Sequence, residues 1–481
     1  MNFISEIFVL FLIITVFLNY LVSAKYRKYV LLISSIIFYA YSSTMNFFLV
    51  VVISLLTYLF GYLIDTKSNK KVLYCMGIII ILSPLIFFKY TNFLFEMVNR
   101  FLVCQLNYID LIVPLGISFL TFQSISYIGD IYYGKIKHER SITTVCTYII
   151  FFPNVSSGPI QKARTFLPQI NRQAVYDYKN IKHGLYLIAF GCLQKFCISD
   201  LLYPIVNQMI SNFKSYSGFH YLFFASCYAL YIYSNFNSYS DIAIGIAELL
   251  DIKFGINFRR PYLSSSIKEF WQRWHISLNE WFVDYIYIPL GGSRNGKLKK
   301  YVNIMIVFLI SGIWHGAGIH FIAWGGINAI YQIIGDITHD FRNRIYNRFD
   351  INQNTIGFRT LQKITVFILI SFSWIFFAIP SFTLSLQAIK SIFMLDISTL
   401  FDGVILGLLG TNENIIFMFI VIISFAVIQI IREKKSLMTI LEKESSLIRY
   451  TLYVFVTVVI FIFWSSSFQG SGNGGFVYFD F

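Results

Sequence analysis

Charge is scarce in this sequence. Of 481 residues only 13% are Asp, Glu, Lys or Arg, about half of the roughly 25% usual in a soluble domain. Most of the folded surface must therefore face something other than water. The six cysteines (Cys75, Cys104, Cys146, Cys192, Cys197 and Cys227) form no CxxC pair and no Cys/His ligand spacing. That argues against a zinc site and against a disulfide framework, and leaves the thiols as small buried hydrophobes. No Walker loop or Rossmann fingerprint occurs. Gly116-Ile117-Ser118-Phe119-Leu120 lacks the second glycine of a nucleophile elbow. No repeat with a period of roughly 20–50 residues is visible, and no polar stretch is long enough for a soluble domain.

What the chain has instead is apolar runs. It is 57% hydrophobic with a mean hydropathy of +0.65. Many runs reach or approach the ~20 residues that cross a hydrocarbon core, so the sequence reads as an all-α polytopic membrane protein. The runs are continuous rather than alternating, which excludes a barrel. The net charge of +14 lies in short loops between apolar segments. This is the positive-inside pattern and not a nucleic-acid footprint. Spans are expected at about Ile4–Val22, Tyr29–Tyr41, Asn46–Ile64, Val72–Phe88 and Leu111–Ile128. Others are expected near 184–198, 219–234, 302–314, 319–335, 361–379, 413–431 and 449–464, eleven or twelve in all. The first is read as retained, since no positive n-region precedes it and no small-residue cleavage site follows. Lys25/Arg27/Lys28 and Lys67/Lys70/Lys71 mark cytoplasmic loops, which puts the N-terminus outside the cytoplasm. Residues 89–110 are expected at the interface and 338–358 as a loop. Ser156-Ser157-Gly158-Pro159-Ile160 breaks an apolar stretch, as either a re-entrant loop lining a cavity or an interfacial turn. The whole is expected to be one integral-membrane domain, with N-terminal spans over 1–110, a core over 111–335 and C-terminal spans with an aromatic tail over 336–481.

Two histidines stand out in this setting. An ionisable ring at membrane depth is costly, and is kept mostly for chemistry or transport. His275 lies in Phe270-Trp271-Gln272-Arg273-Trp274-His275-Ile276-Ser277-Leu278. Trp271, Trp274, Leu278, Trp281 and Tyr285 recur at three- and four-residue steps, predicting an amphipathic helix over 268–286. Pro289 and Gly291-Gly292 stop it. Such a helix lies in the interface plane, either as an aromatic anchor or as part of a site. His315 follows the apolar run Ile304–Ile313 and is flanked by Gly312, Gly316 and Ala317, small residues that let a substrate or a helix approach the backbone. Desolvation keeps such an imidazole neutral, able to take a proton from a hydroxyl and later release it. The alternative is a histidine hydrogen-bonded to a neighbouring helix. His138 and His339 fall in polar loops, and His183 and His220 begin apolar runs. His320, five residues beyond His315, does not share its helix face. No metal site is expected. With no covalent nucleophile in evidence, acyl transfer would be direct, a base activating the acceptor hydroxyl.

At these residues the chain resembles the membrane-bound O-acyltransferases, and within them the bacterial branch typified by alginate O-acetyltransferase. The resemblance runs through Pro114-Leu115-Gly116-Ile117-Ser118-Phe119, Phe151-Phe152-Pro153 with Gly158-Pro159-Ile160, and Tyr239-Ser240-Asp241-Ile242-Ala243-Ile244-Gly245. It continues through Asn257-Phe258, Phe270-Trp271 to Leu278, Tyr287-Ile288-Pro289-Leu290-Gly291-Gly292, Trp314-His315-Gly316-Ala317, Trp324-Gly325, and Trp374-Ile375-Phe376-Phe377. Phe476-Val477-Tyr478-Phe479-Asp480-Phe481 is similar to that branch's terminus. The resemblance implies a helical bundle with re-entrant or interfacial helices and a central funnel or tunnel. It implies His315 as the catalytic histidine and His275 in support. The donor it implies is cytoplasmic acetyl-CoA, a substrate rather than a bound cofactor. The destination is an extracytoplasmic polysaccharide, reached directly or through an SGNH-hydrolase-like partner. Indole N–H groups of Trp274 and Trp314 are candidates to stabilise an oxyanion, and Arg273 to attract coenzyme A phosphates. Asp241 and Asn303 are further candidates along the tunnel. Relatives often carry Asp where this chain has Asn235, and Arg where it has Ala378. Two other functions compete: D-alanyl transfer from a carrier protein to teichoic acid, which shares the histidine motifs, and a transporter or flippase, which would need paired intramembrane charges or inverted repeats.

Overall fold

The computed structural model describes residues 1–42, 44–102, 106–156, 158–394 and 396–469. Cys104, Ser157, the Gly470–Gly475 stretch and the aromatic Phe476–Phe481 terminus lie outside the described residues. The chain is 78% helix, with no strand among the described residues. In chain order the first helices are α1 (Glu6–Leu21), α2 (Ala24–Ser42), α3 (Thr44–Thr66), α4 (Lys70–Leu102), α5 (Ile117–Tyr132), α6 (Ile142–Ile150), α7 (Phe152–Ser156) and α8 (Ala163–Ile170). Next come α9 (Tyr178–Gln194), α10 (Asp200–Ser211), α11 (Phe219–Leu249), α12 (Ile267–Arg273), α13 (Ile276–Phe282), α14 (Gly296–His315) and α15 (Ile319–Ile337). The last are α16 (His339–Arg348), α17 (Ile356–Ala378), α18 (Phe382–Phe393), α19 (Val404–Leu409), α20 (Asn412–Lys434), α21 (Leu437–Leu441) and α22 (Ser446–Gln469).

Side-chain oxygens start many of these helices. Ser5, Ser141, Ser266, Thr355 and Thr411 each accept a hydrogen bond from a backbone N–H of the first turn, satisfying donors that have no intrahelical partner. Six helical stretches, or up to seven with a bent pair, are long and apolar enough to cross a membrane among the described residues. The larger count expected from sequence included shorter helices such as α1 and α5, each of 16 residues. Two local expectations change. Beyond residue 88, α4 continues to Leu102 with Pro84 inside it. The stretch 338–358, expected as a loop, contains α16.

The residues gather into two compact units. One comprises Met1–Ile188, Tyr239–Ile256 and Glu280–Ile286; the other comprises Ala189–Ser238, Asn257–Asn279 and the chain from Tyr287 onward. The first unit is locked by buried polar groups. Arg27, expected in a basic loop, sits in the first turn of α2 and is fully buried. It donates to Asn19 Oδ1 at 3.0 Å and to the carbonyls of Gln169, Arg172 and Leu250 at 2.7, 2.9 and 2.6 Å. Those acceptors stand where α8 and α11 end, so the guanidinium satisfies helix-terminal carbonyls. In the same unit Trp281 Nε1 donates to the Phe122 carbonyl at 2.9 Å and Tyr285 Oη donates to Asp130 Oδ1 at 2.7 Å.

The second unit is built around the α14–α15 hairpin. A Cβ on Gly312 would overlap the Phe321 carbonyl, and one on Gly325 would overlap the Phe308 carbonyl. The small residues beside His315 thus serve a close helix–helix approach, with backbone against backbone.

Candidate active site

Both motif histidines belong to the second unit and share Trp314 as a neighbour. The Trp314 ring lies 4.6 Å from His315 and 6.4 Å from His275, centroid to centroid. His315 is the last residue of α14. Its imidazole meets Trp324 and Phe377 edge-on, each at 5.0 Å. Gly316 to Gly318 separate it from α15, so His320 starts a different helix.

His275 is placed by a break in the segment expected to be one helix. The chain stops α12 at Arg273 and restarts at Ile276, and His275 between them has φ = 42°. A left-handed histidine persists only where the surroundings over-determine it, and here hydrogen bonds do so. The Asn279 side-chain amide donates to the carbonyls of Trp271 and of Trp274, the latter at 2.6 Å. The Ile276 N–H donates to the Asn257 carbonyl at 2.8 Å, and Ser277 Oγ donates to Asn257 Oδ1 at 2.6 Å. The His275 carbonyl accepts from the N–H groups of Leu278 and Asn279, both at 3.1 Å, which begins α13. Phe236 packs edge-on against the His275 ring at 4.7 Å, and Phe258 lies nearly parallel to it at 6.4 Å. Burial pushes this imidazole down to about 3, so the ring is neutral.

An aromatic shell surrounds these rings. Trp374 lies 5.0 Å from Trp274 and 5.8 Å from Trp324, and Trp271 lies 5.6 Å from Trp324. Trp374 Nε1 donates to Tyr262 Oη at 3.1 Å, and Tyr262 Oη donates to the Ala229 carbonyl at 2.8 Å. With Trp314, five of the chain's seven tryptophans meet here, all buried. The indole N–H groups of Trp271 and Trp324 are buried with no hydrogen-bond partner among the described residues. Buried donors normally have one, and both belong to the shell around the two histidines.

The remaining candidates are distributed differently. Trp274 belongs to the shell. Arg273 is held by two carboxylates, Glu269 at 2.7 Å and Glu433 at 2.9 Å, and Glu433 also binds Arg260 at 3.1 Å. Asn303 is fully buried twelve residues before His315 on α14, about 18 Å along the helix axis. Its amide donates to the Gly292 carbonyl at 2.8 Å, which ties down the turn that follows Pro289. Asp241 is buried on the part of α11 that belongs to the first unit. His138, His183 and His220 have partners in Tyr127, Glu248 and Asp402, respectively. No metal-holding cluster of three or more His, Cys, Asp or Glu occurs among the described residues. Sequence reasoning met Phe236 only as a member of the segment Tyr233-Ser234-Asn235-Phe236 and gave it no role. It also left Trp324 and Phe377 without a role, although both fall in motifs it had marked.

A cavity of about 980 Å³ in the second unit is lined by Lys268, Lys300, Tyr331, Asp336, Arg342 and Phe358, among others. Lys300 stands fifteen residues before His315 on α14, about 22 Å along the axis. Lys300 Nζ donates to Asp336 Oδ2 at 2.7 Å and Tyr301 Oη donates to the same atom at 3.0 Å. The Lys300 bond holds the Asp336 carboxyl below the usual carboxylate range.

Helix content and apolar spans define a multi-pass, all-helical membrane protein. Residues 37–379 match the membrane-bound O-acyltransferase family. The chain is 32% identical over 388 residues to the probable alginate O-acetylase AlgI of Pseudomonas syringae pv. tomato, covering 78% of this chain and 72% of that one. It is 30% identical over 410 residues to the peptidoglycan O-acetyltransferase of Helicobacter pylori, covering 78% and 76%. It is 29% identical over 283 residues to the teichoic acid D-alanyltransferase of Bacillus subtilis, covering 56% and 70%. The chain belongs to the membrane-bound O-acyltransferase family, and it is an O-acyltransferase.

Proposed function

We propose that this protein transfers acetyl from cytoplasmic acetyl-CoA to an extracytoplasmic polysaccharide, either directly or through an SGNH-hydrolase-like partner, with His315 as the general base. The observation that carries the proposal is the pair of buried imidazoles sharing one indole inside a tryptophan shell. The relatives covering most of this chain are named for O-acetylation of polymers, which favours acetyl as the group moved.

In this reading the His315 imidazole takes the proton of the acceptor hydroxyl as its oxygen attacks the thioester carbonyl. The carbon–sulfur bond breaks, and the proton passes to the departing thiolate. Charge developing on the carbonyl oxygen is met by an indole N–H, with Trp314 and Trp324 both beside His315 and Trp274 in the same shell. His275, neutral and fixed by its backbone, supports the reacting groups. The cavity bearing Lys268, Lys300 and Arg342 supplies cations on the route that donor phosphates take, while Arg273 braces α12 through Glu269 and Glu433. The N-terminus lies outside the cytoplasm, and the donor enters from the side of the basic loops.

The purified protein in sealed vesicles is supplied with labelled acetyl-CoA or with a D-alanyl-charged carrier protein. Release of coenzyme A and acetylation of a polysaccharide or of an SGNH partner is expected with the first donor only. Turnover of the charged carrier alone assigns the protein to D-alanyl transfer instead.

A further inference from the structure

Within the second unit, α9 passes into α10 through a π-helical turn, Lys195–Ser199. A π turn inserted in a long helix is uncommon and marks places where side chains must be re-aimed. Here the Asp200 N–H donates to the Lys195 carbonyl, and the side chains of the same two residues form an ion pair at 2.5 Å. Lys195 is 2% and Asp200 13% exposed at the side chain. A buried ion pair is poor evidence for stability, because desolvation offsets most of the attraction; its better-attested use is to fix one arrangement. The arrangement fixed here presents Ser199 and Gln194 to α11. Asn235 Nδ2 donates to Ser199 Oγ at 2.9 Å, and Asn237 Nδ2 donates to Gln194 Oε1 at 2.7 Å. Both asparagines are buried. Between them stands Phe236, whose ring packs edge-on against His275 at 4.7 Å.

We infer that Asn235 and Asn237 are positioning residues for His275. Hydrogen bonds on both sides of Phe236 fix the rotation of α11 about its axis at that point. This sets the ring that confines one flank of the imidazole, with Phe258 confining another. The Lys195–Asp200 pair closes the π turn that brings Ser199 and Gln194 into reach. The inference rests on the acyl-transfer role proposed for this site.

The test is a double-mutant cycle on acetyl transfer by the full-length protein in vesicles. Asn235→Leu keeps the heavy-atom count and branching of the side chain and removes the hydrogen bond. It is expected to lower kcat ~10- to 100-fold, the size of effect a misplaced group produces, with the donor KM unchanged. Ser199→Ala lowers kcat by the same route and adds nothing to Asn235→Leu. Asn235→Asp, which accepts a hydrogen bond from Ser199, restores most of the rate. In a His275→Gln background Asn235→Leu costs nothing more. An equal further loss in that background means that Asn235 acts elsewhere and overturns the inference, as does wild-type kcat in Asn235→Leu. His315→Ala is run alongside: if it retains full transfer the catalytic reading fails, whereas a dead His315→Ala beside a fully active Asn235→Leu removes the positioning claim alone.

Discussion

The segments around His275 and His315 reach the same indole by different means. His275 sits at a forced break between two seven-residue helices, held by hydrogen bonds that Asn257 accepts and Asn279 donates and by an unusual backbone angle. His315 ends a twenty-residue helix and is seated among Trp314, Trp324 and Phe377, with glycines bringing α15 against it. One ring is fixed through its own backbone and the other by the walls around it. In the proposed reading the rigidly bonded histidine is the support, and the one at the helix end, walled by Trp314, Trp324 and Phe377, does the chemistry.

His275→Ala breaks the comparison on one side. It should lower kcat about 100-fold, within the range of losing an orienting group, and also lower the thermal midpoint, since the buried ring packs against Phe236 and Phe258. A differential scan in detergent together with the acetyl assay would read both effects. On the other side, Gly312→Val forces side-chain atoms into the Phe321 carbonyl and should cost about 1–3 kcal/mol of stability, as overpacking does, with the rate falling in step with the folded fraction. Asn279→Ala leaves two carbonyls at the end of α12 without that amide and should cost about 1–2 kcal/mol. Hydrogen exchange should rise over 271–276 and stay unchanged in α14.

Asp336→Asn should do least. The carboxyl's folded value is depressed by the Lys300 bond. Its contribution is therefore full above the ordinary Asp range near pH ~4 and fades as pH falls through the lower folded value. With the Asp336 side chain 34% exposed, the difference should stay below about 0.5 kcal/mol. The midpoint gap between variant and wild type should close on acidification.

The membrane class was readable because apolar run length is a local property, and the two histidines were singled out by another, a titratable ring with glycine or tryptophan beside it. The break at Trp274–His275 was not readable. Its helical periodicity is intact, and the bonds that override it run to Asn257, far back in the chain, and from Asn279, whose side chain turns back onto the helix end. Arg27 shows the same failure in reverse. It was placed with loop cations by its neighbours Lys25 and Lys28, yet it is buried because helix-terminal carbonyls far along the chain, at Gln169 and Leu250, converge on it. Phe236 carried no sign of its contact with His275, since a phenylalanine on an apolar helix is the commonest of residues there.

The most direct test is single-turnover acetyl transfer by His315→Ala at saturating acetyl-CoA, with the protein shown to be folded by its thermal midpoint. A fall of at least about 10³-fold in rate, within the range for removing a general base, with donor binding unchanged, is the predicted result. A rate within tenfold of wild type would contradict an imidazole at position 315 as the base.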